Sequence, residues 1–317
     1  MKHLLSIEDV DRDEIETILE RASSFAEVSR REIKKVPTLR GQTVVTLFYE
    51  SSTRTSSSFE LAAKRLSADI VSVKAVGSAV DKGESLKDTV ETLSSYDPAA
   101  IVLRHPYAGA SGMLAGWVDA SVINAGDGMH QHPSQALLDI FTLRNRIGSL
   151  EGAKIWIIGD VLHSRVARSN IEGFQKMGAS VTVAGPPTLI PRGIEVTGCE
   201  VRHSLDEIDS ADVIYLLRMQ NERMGENFVP SIREYARLFQ LNRRRLGPRQ
   251  LVMHPGPVNR GVEISSDVID SEQSLISEQV ASGLVVRMAI LYELLTGSED
   301  TSADSAPEGP VPIGEPA

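Results

Sequence analysis

Four arginines, Arg54, Arg104, Arg165 and Arg218, each stand just beyond a short apolar run. That is where a parallel strand hands its next residue to a ligand crevice. Their planar, permanently charged guanidiniums suit phosphate and carboxylate oxygens. The richest setting is Phe48-Tyr49-Glu50-Ser51-Ser52-Thr53-Arg54-Thr55-Ser56-Ser57-Ser58-Phe59. A β-rich run precedes it and a helical one comes after. Unpaired N–H groups, the positive end of a helix dipole, the hydroxyls of Ser52, Thr53 and Thr55, and the Arg54 charge therefore converge. The pattern reads either as a phosphate site or as a Ser/Thr-rich cap with Arg54 in solvent. Without G-x-x-x-x-G-K-[ST] it is not a P-loop.

Other strand ends carry further groups. Arg104-His105-Pro106 closes one run, and Asn124-Ala125-Gly126-Asp127-Gly128-Met129-His130-Gln131-His132-Pro133-Ser134-Gln135 leads from another into a helix. Pro133 pushes the His132 backbone toward the extended region. At a helix mouth, His132 can donate to a carbonyl oxygen, and the dipole favours its neutral form. A metal site on His130 and His132 lacks an Asp, Glu or Cys partner at useful spacing, so no metal is expected. Around Gly159-Asp160 the sequence has no G-x-G-x-x-G, and Arg165 falls where the third glycine belongs, which disfavours hydride transfer. Arg218-Met219-Gln220 leaves another strand, and His254-Pro255-Gly256-Pro257 suggests a rigid turn with a cis peptide.

The elements that must position these residues emerge from hydrophobic periodicity. Strands are predicted over 43–49, 70–73, 100–103, 121–124, 154–158, 180–184, 213–216 and 251–254, and helices over 59–66, 86–95, 134–147, 165–177 and 274–295. Alternation of this kind implies an α/β fold with parallel sheets, about four strands in each half, and a boundary near 146–152. The last helix carries a packing stripe of Val280, Leu284, Val285, Met288, Leu291 and Leu295, with Gly297 placed to end it. No internal repeat of 20–50 residues is found.

Composition sets outer bounds. The 317 residues suggest two domains, at roughly 150 residues each. The charge balance, 33 − 43 = −10, argues against non-specific binding to nucleic acid or an anionic membrane. Cys199 is the sole cysteine, so neither an internal disulfide nor a Cys-rich zinc site is available. No run of about 18 apolar residues stands out and the N-terminus turns acidic early, so a soluble, cytoplasmic protein is expected. Residues 298–317 hold four prolines, five acidic residues and no basic one, and read as a disordered tail. An acidic chain that concentrates arginines at strand ends is suited to a small polyanion.

In order and spacing these motifs resemble the aspartate/ornithine carbamoyltransferases, up to the start of the acidic tail. Ser52-Thr53-Arg54-Thr55 with Ser58-Phe59 is similar to that family's carbamoyl-phosphate signature. Arg104-His105-Pro106, His132-Pro133-Ser134-Gln135, Asp160 with Arg165, Arg218 with Gln220, and His254-Pro255-Gly256-Pro257 come in family order. The ornithine branch carries His-Cys-Leu-Pro at the last turn, and two cationic clamps suit a dicarboxylate, so the aspartate branch is implied. Two positions depart from the family pattern. Ser56 stands where a second basic residue is frequent, and Asp81 where a second lysine is.

The resemblance implies an α/β fold of two domains, each a mostly parallel sheet flanked by helices, joined by interdomain helices. The implied division is a carbamoyl-phosphate-binding domain over 1–148, with a C-terminal helix over 284–297 packing back on it, and an aspartate-binding domain over 149–283. The implied reaction transfers the carbamoyl group of carbamoyl phosphate to the amine of L-aspartate, giving N-carbamoyl-L-aspartate and phosphate, in de novo pyrimidine biosynthesis. A different amino-acid acceptor such as ornithine, or a catalytically silent assembly subunit, are the alternatives; a silent subunit should have lost Arg54 or His132, and both are present. By resemblance, Ser52, Thr53, Arg54 and Thr55 bind phosphate, with Ser78 and Lys82 supplied by a neighbouring chain. Thr55, Arg104 and His132 polarise the carbonyl, while Gln135, Pro255 and Gly256 hold the carbamoyl amide. Arg165, Arg218 and Gln220, with Lys82, hold aspartate. The implied assembly is a homotrimer with shared sites, open to regulatory or dihydroorotase subunits, and no cofactor is implied.

Overall fold

The computed structural model describes residues 1–74, 83–220 and 228–296. Ser78, Asp81, Lys82, Gly297 and the acidic tail lie outside these residues.

The first half holds β1 (Thr43–Phe48), β2 (Asp69–Lys74), β3 (Ala100–His105) and β4 (Ser121–Asp127), all parallel, in the order β2-β1-β3-β4. Its helices are α1 (Arg12–Ser29), α2 (Thr53–Arg65), α3 (Leu86–Ser94), α4 (Ala110–Ala115) and α5 (Pro133–Ile147). The second half holds β5 (Lys154–Ile158), β6 (Ser180–Ala184), β7 (Glu200–Arg202), β8 (Val213–Leu216) and β9 (Leu251–Met253), again parallel, in the order β7-β6-β5-β8-β9. Its helices are α6 (Arg165–Lys176), α7 (Ile232–Phe239), α8 (Ser266–Ile269) and the closing helix α9 (Ile276–Thr296). Strand order reverses between β1 and β3 in one sheet and between β5 and β8 in the other. Ligands of open parallel sheets bind at these switch points, beyond the carboxyl ends of the strands.

Several local outcomes differ from the periodicity reading. Helix α1 was not expected, although Asp11 and Glu14 form a reciprocal capping box and Ile15, Ile18, Leu19, Ala22, Phe25 and Val28 make one buried face. The second sheet gains a fifth strand, β7, only three residues long and at the edge. Helix α2 starts at Thr53 rather than Phe59, which puts Arg54 inside its first turn. Val280 is 58% exposed and drops out of the α9 stripe, whose buried positions include Val285, Val286, Met288, Ala289, Ile290, Leu291 and Leu294.

Helix α9 is long and apolar enough, by length and composition, to cross a bilayer, contrary to expectation. Most of it is buried against α1, α2 and α5. Helix α5 packs in turn on α6 of the second half. The largest apolar cluster is therefore continuous across both halves, from Leu4, Ile18 and Phe59 through Leu137 and Ile140 to Ile157, Ile171 and Val213. Each fully buried aliphatic side chain in it contributes about 1.5–3 kcal/mol relative to exposure, so the mutual placement of the sheets is fixed by core packing.

The turn from β4 to α5 needs Gly128. Its φ is +50°, and a Cβ there would lie 2.8 Å from the Ala108 nitrogen and 3.0 Å from the Pro106 carbonyl oxygen. Backbone cannot yield as a flexible side chain does. Gly128→Ala should cost about 2–4 kcal/mol of stability from positive φ and overpacking combined. Thermal unfolding would show a melting temperature lowered by several degrees; an unchanged melt would contradict this account of the turn.

Candidate active site

The carboxyl end of β1 feeds α2 directly. Ser52 occupies the N-cap position but its hydroxyl makes no capping bond, which leaves first-turn N–H groups for a ligand. Thr55 is buried, Ser52 is half-buried, and Thr53 and Arg54 are exposed. Ser56, the departure from the family pattern, donates its hydroxyl to Glu60 at 3.2 Å. One strand over, Arg104 at the end of β3 donates through Nη1 to the Ala125 carbonyl at 3.3 Å.

Glu50 joins the halves. Its Oε2 accepts from Arg104 Nε at 3.3 Å and from Arg165 Nη2 at 2.5 Å. Arg165 is the first residue of α6, capped by the Ser164 hydroxyl, yet its side chain reaches the first sheet and lies across Gly126. A Cβ on Gly126 would meet Arg165 Nε at 3.0 Å. The Nη1 of Arg165 is buried and has no partner among the described residues.

His132 is the N-cap of α5, with non-helical φ and ψ as the adjoining proline requires. Its backbone N–H donates to Ser169 at 2.8 Å. Burial, then the charges of Arg104, Arg165 and Arg287, hold its pKa well below the usual histidine value. The imidazole is thus neutral at physiological pH and keeps one N–H to donate. The sequence pointed to a neutral ring through the helix dipole; here burial and the surrounding arginines are the causes.

One turn further along α5, Gln135 donates to Asp139, the centre of a buried polar cluster. Asn170 and Tyr215 donate to the other carboxylate oxygen at 2.9 and 2.7 Å. Burial pushes the Asp139 pKa up to about 6, against the opposing pull of these donors. Beyond β9, His254 Nδ1 accepts the Gly256 N–H at 2.8 Å, and its Nε2 faces Glu263 at 3.1 Å. The Gly256–Pro257 peptide is cis, as the sequence suggested.

Gly256, at φ +64°, lies against the Arg54 guanidinium. Partial burial and then the charge of Arg218 lower the Arg54 pKa; burial first, and then these two arginines against the opposing pull of Glu263, lower that of His254. The end of β1, the end of β8 and the turn after β9 therefore share one crevice. The Gln220 N–H donates to Asp160 at 3.4 Å, linking the segment after β8 to the end of β5.

The sequence candidates Ser52, Thr53, Arg54, Thr55, Arg104, His132, Gln135, Arg165, Arg218, Gln220, Pro255 and Gly256 all fall on strand ends or helix starts around the two switch points. Ser78 and Lys82 lie outside the described residues. His130 does have an acidic neighbour at short spacing, contrary to the sequence reading: Asp127 Oδ2 is 3.1 Å from its Nδ1. Sequence reasoning gave no role to Glu50, Asp139, Glu263, Gln279 or Arg287. Asp139, four residues after Gln135 on a helix buried on most sides, was the one with a readable signal.

A Cβ at Gly256 would lie 2.6–2.7 Å from three atoms of the Arg54 guanidinium, the flexible end of a long side chain. Gly256→Ala should therefore displace Arg54 rather than unfold the chain, with positive φ adding about 1 kcal/mol of strain. Titration with inorganic phosphate should show affinity reduced at least about tenfold, the loss of one charge-assisted contact. Unchanged phosphate affinity would contradict the placement of Arg54 at an anion site.

Comparison with known proteins is consistent with this geometry. Residues 2–145 match the aspartate/ornithine carbamoyltransferase carbamoyl-P binding domain, and residues 151–294 match the Asp/Orn binding domain of the same family. The aspartate carbamoyltransferase catalytic subunit of Pelotomaculum thermopropionicum is 58% identical over 300 residues, covering 93% of this chain and 97% of that one. That of Acidothermus cellulolyticus is 53% identical over 312 residues, covering 97% of each. Among solved structures, aspartate transcarbamoylase from Trypanosoma cruzi in complex with N-(phosphonacetyl)-L-aspartic acid superposes with a TM-score of 0.84 at 32% identity, covering 93% of this chain and 96% of that one. With two successive domains matched over nearly the whole described length, the chain belongs to the aspartate/ornithine carbamoyltransferase family.

Proposed function

We propose that this chain transfers the carbamoyl group of carbamoyl phosphate to the amine of L-aspartate, releasing phosphate and N-carbamoyl-L-aspartate, a step of de novo pyrimidine biosynthesis. The observation that carries the reading is the meeting of Arg104, from the end of β3, and Arg165, from the start of α6 in the other half, on the single carboxylate of Glu50 beside a neutral, buried His132. A site that must hold a phosphate dianion and a dicarboxylate together needs cations from two directions, and a carbonyl between them needs a donor that is not itself an acid.

In this reading residues 1–148, with the C-terminal helix from about residue 284 returning to them, form the carbamoyl-phosphate half, and 149–283 form the aspartate half. Ser52, Thr53, Arg54, Thr55 and the N–H groups of α2 take the phosphate. Thr55, Arg104 and His132 donate to the carbonyl oxygen as negative charge develops on it. Gln135 and the Pro255 carbonyl, with the Gly256 backbone beside Arg54, hold the carbamoyl NH2. Arg165, Arg218 and Gln220 hold the aspartate carboxylates and convert a bimolecular encounter into a positioned one. The uncharged amine attacks the carbonyl carbon, a C–N bond forms, the C–O bond to phosphate breaks, and the departing phosphate accepts the amine proton. Ser78 and Lys82 would come from a neighbouring chain, Lys82 also reaching aspartate, which makes the assembly a homotrimer with shared sites. Regulatory or dihydroorotase subunits are the heterologous partners that family membership suggests, and the compartment is the cytoplasm.

The purified chain should form N-carbamoyl-aspartate from carbamoyl phosphate and aspartate, and no citrulline from ornithine. In Arg218→Ala, KM for aspartate should rise about a hundredfold, the loss of a charge-assisted clamp at roughly 3 kcal/mol, with far less change in carbamoyl-phosphate affinity. Turnover of ornithine in place of aspartate, or an equal loss of both affinities, would contradict the assignment.

A further inference from the structure

The buried polar cluster around Asp139 stands behind the crevice, and its wiring runs to two separate parts of it. Oδ1 of Asp139 accepts two side-chain amides, Gln135 Nε2 at 3.1 Å and Gln279 Nε2 at 2.7 Å. An ionised carboxylate can only accept, so both amides must turn their nitrogen toward it and present their oxygen on the far side. The amide orientations of Gln135 and Gln279 are thereby set by chemistry. All these groups are buried: Asp139 is 0% exposed, Gln279 4% and Gln135 8%.

The oxygen of Gln279 has a clear task. It accepts the backbone N–H of His254 at 3.0 Å, across 25 residues of sequence. The His254 ring in turn accepts the Gly256 N–H at 2.8 Å. Gly256 N–H and Pro255 C=O belong to one peptide plane, and that peptide is trans, so the Pro255 carbonyl must point away from the His254 ring. Asp139 thus fixes the Gln135 oxygen directly and steadies the Pro255 carbonyl through Gln279 and His254.

We propose that Asp139 is a positioning residue for recognition of the carbamoyl NH2: its single oxygen Oδ1 sets both acceptors, the Gln135 side-chain oxygen and the Pro255 carbonyl, that read the two N–H groups of that amide. The proposal rests on the assignment of Gln135 and Pro255 made above. It gives a task to the carboxylate at the centre of the polar cluster that α5, α6, β8 and α9 bury, where Asn170 and Tyr215 are occupied on Oδ2 and the charge of the buried Arg287 lies nearby. The consequence is selectivity for a carbamoyl over an acyl phosphate. A methyl group in place of NH2 offers no donor, and two oriented acceptors would be left facing it.

The two carboxylate oxygens allow an internal control. Gln279→Met cuts the Oδ1 arm, Tyr215→Phe removes a donor from Oδ2, and Asp139→Ala removes the carboxylate. Calorimetry on the full chain would give the affinities for carbamoyl phosphate and for acetyl phosphate, its methyl analogue. The wild-type protein should favour carbamoyl phosphate. Gln279→Met should lower that preference about tenfold through weaker carbamoyl-phosphate binding, the worth of one buried hydrogen bond, with acetyl-phosphate affinity nearly constant. Asp139→Ala should lower it further, and Tyr215→Phe, which disturbs the same core, should leave it as in wild type. Should Asp139→Ala fail to fold, Gln279→Met against Tyr215→Phe decides the matter. A preference that survives in Gln279→Met, or that falls equally in Tyr215→Phe, overturns the proposal alone. A wild-type protein that binds both phosphates equally overturns the assignment of Gln135 and Pro255, and the proposal with it.

Discussion

One carboxylate holds the site together. Glu50 leaves the end of β1 and is shared by Arg104 from the same sheet and Arg165 from the first turn of α6 in the other half. The pairs are partly screened, since the Glu50 side chain is 24% exposed, so their value lies in geometry more than in stability. They turn two arginines that would repel each other into a fixed pair aimed at one crevice. His132 depends on the same arrangement, because burial and the cations around it keep the ring neutral. Arg54 and Arg218 lie close enough in the same crevice for the charge of one to act on the other.

This arrangement answers an electrostatic problem. The chain carries a net charge of −10, yet it must attract a dianion and a dicarboxylate. The solution is local: helix N-termini, which bear partial positive charge, and guanidiniums carried at strand ends and helix starts are pointed into one crevice. The continuous apolar core through α5, α6 and α9 keeps the two halves in place while those like charges are held close. Behind the cations a second layer of buried carboxylates, Asp139 and Glu263, orients neutral groups at the crevice wall.

Much of this is legible in the amino-acid sequence alone. Parallel strands buried on both faces leave short apolar runs, and the residues just past such a run sit at a crevice, so Arg54, Arg104, Arg165 and Arg218 stand out by position. The family resemblance supplied the roles. The features that stayed hidden have physical reasons. Strand β7 pairs along only three residues at a sheet edge and leaves too short a pattern to detect. Val280 fits the helical stripe, but α9 is apolar nearly all round, so periodicity could not say which face meets solvent. Glu50 and Gln279 act through partners 115 and 140 residues away, a pairing that no local spacing encodes. Helix α1 is different: its capping box was there to be read.

The most direct test of the composite site is Glu50→Gln, which keeps the shape and removes the charge that pairs Arg104 with Arg165. Steady-state kinetics on the purified chain should show kcat/KM for aspartate reduced on the order of a hundredfold, as expected for misplaced reacting groups, while carbamoyl-phosphate affinity and the melting temperature change little. Wild-type kinetics in a folded Glu50→Gln protein would contradict the claim that this carboxylate assembles the site from its two halves.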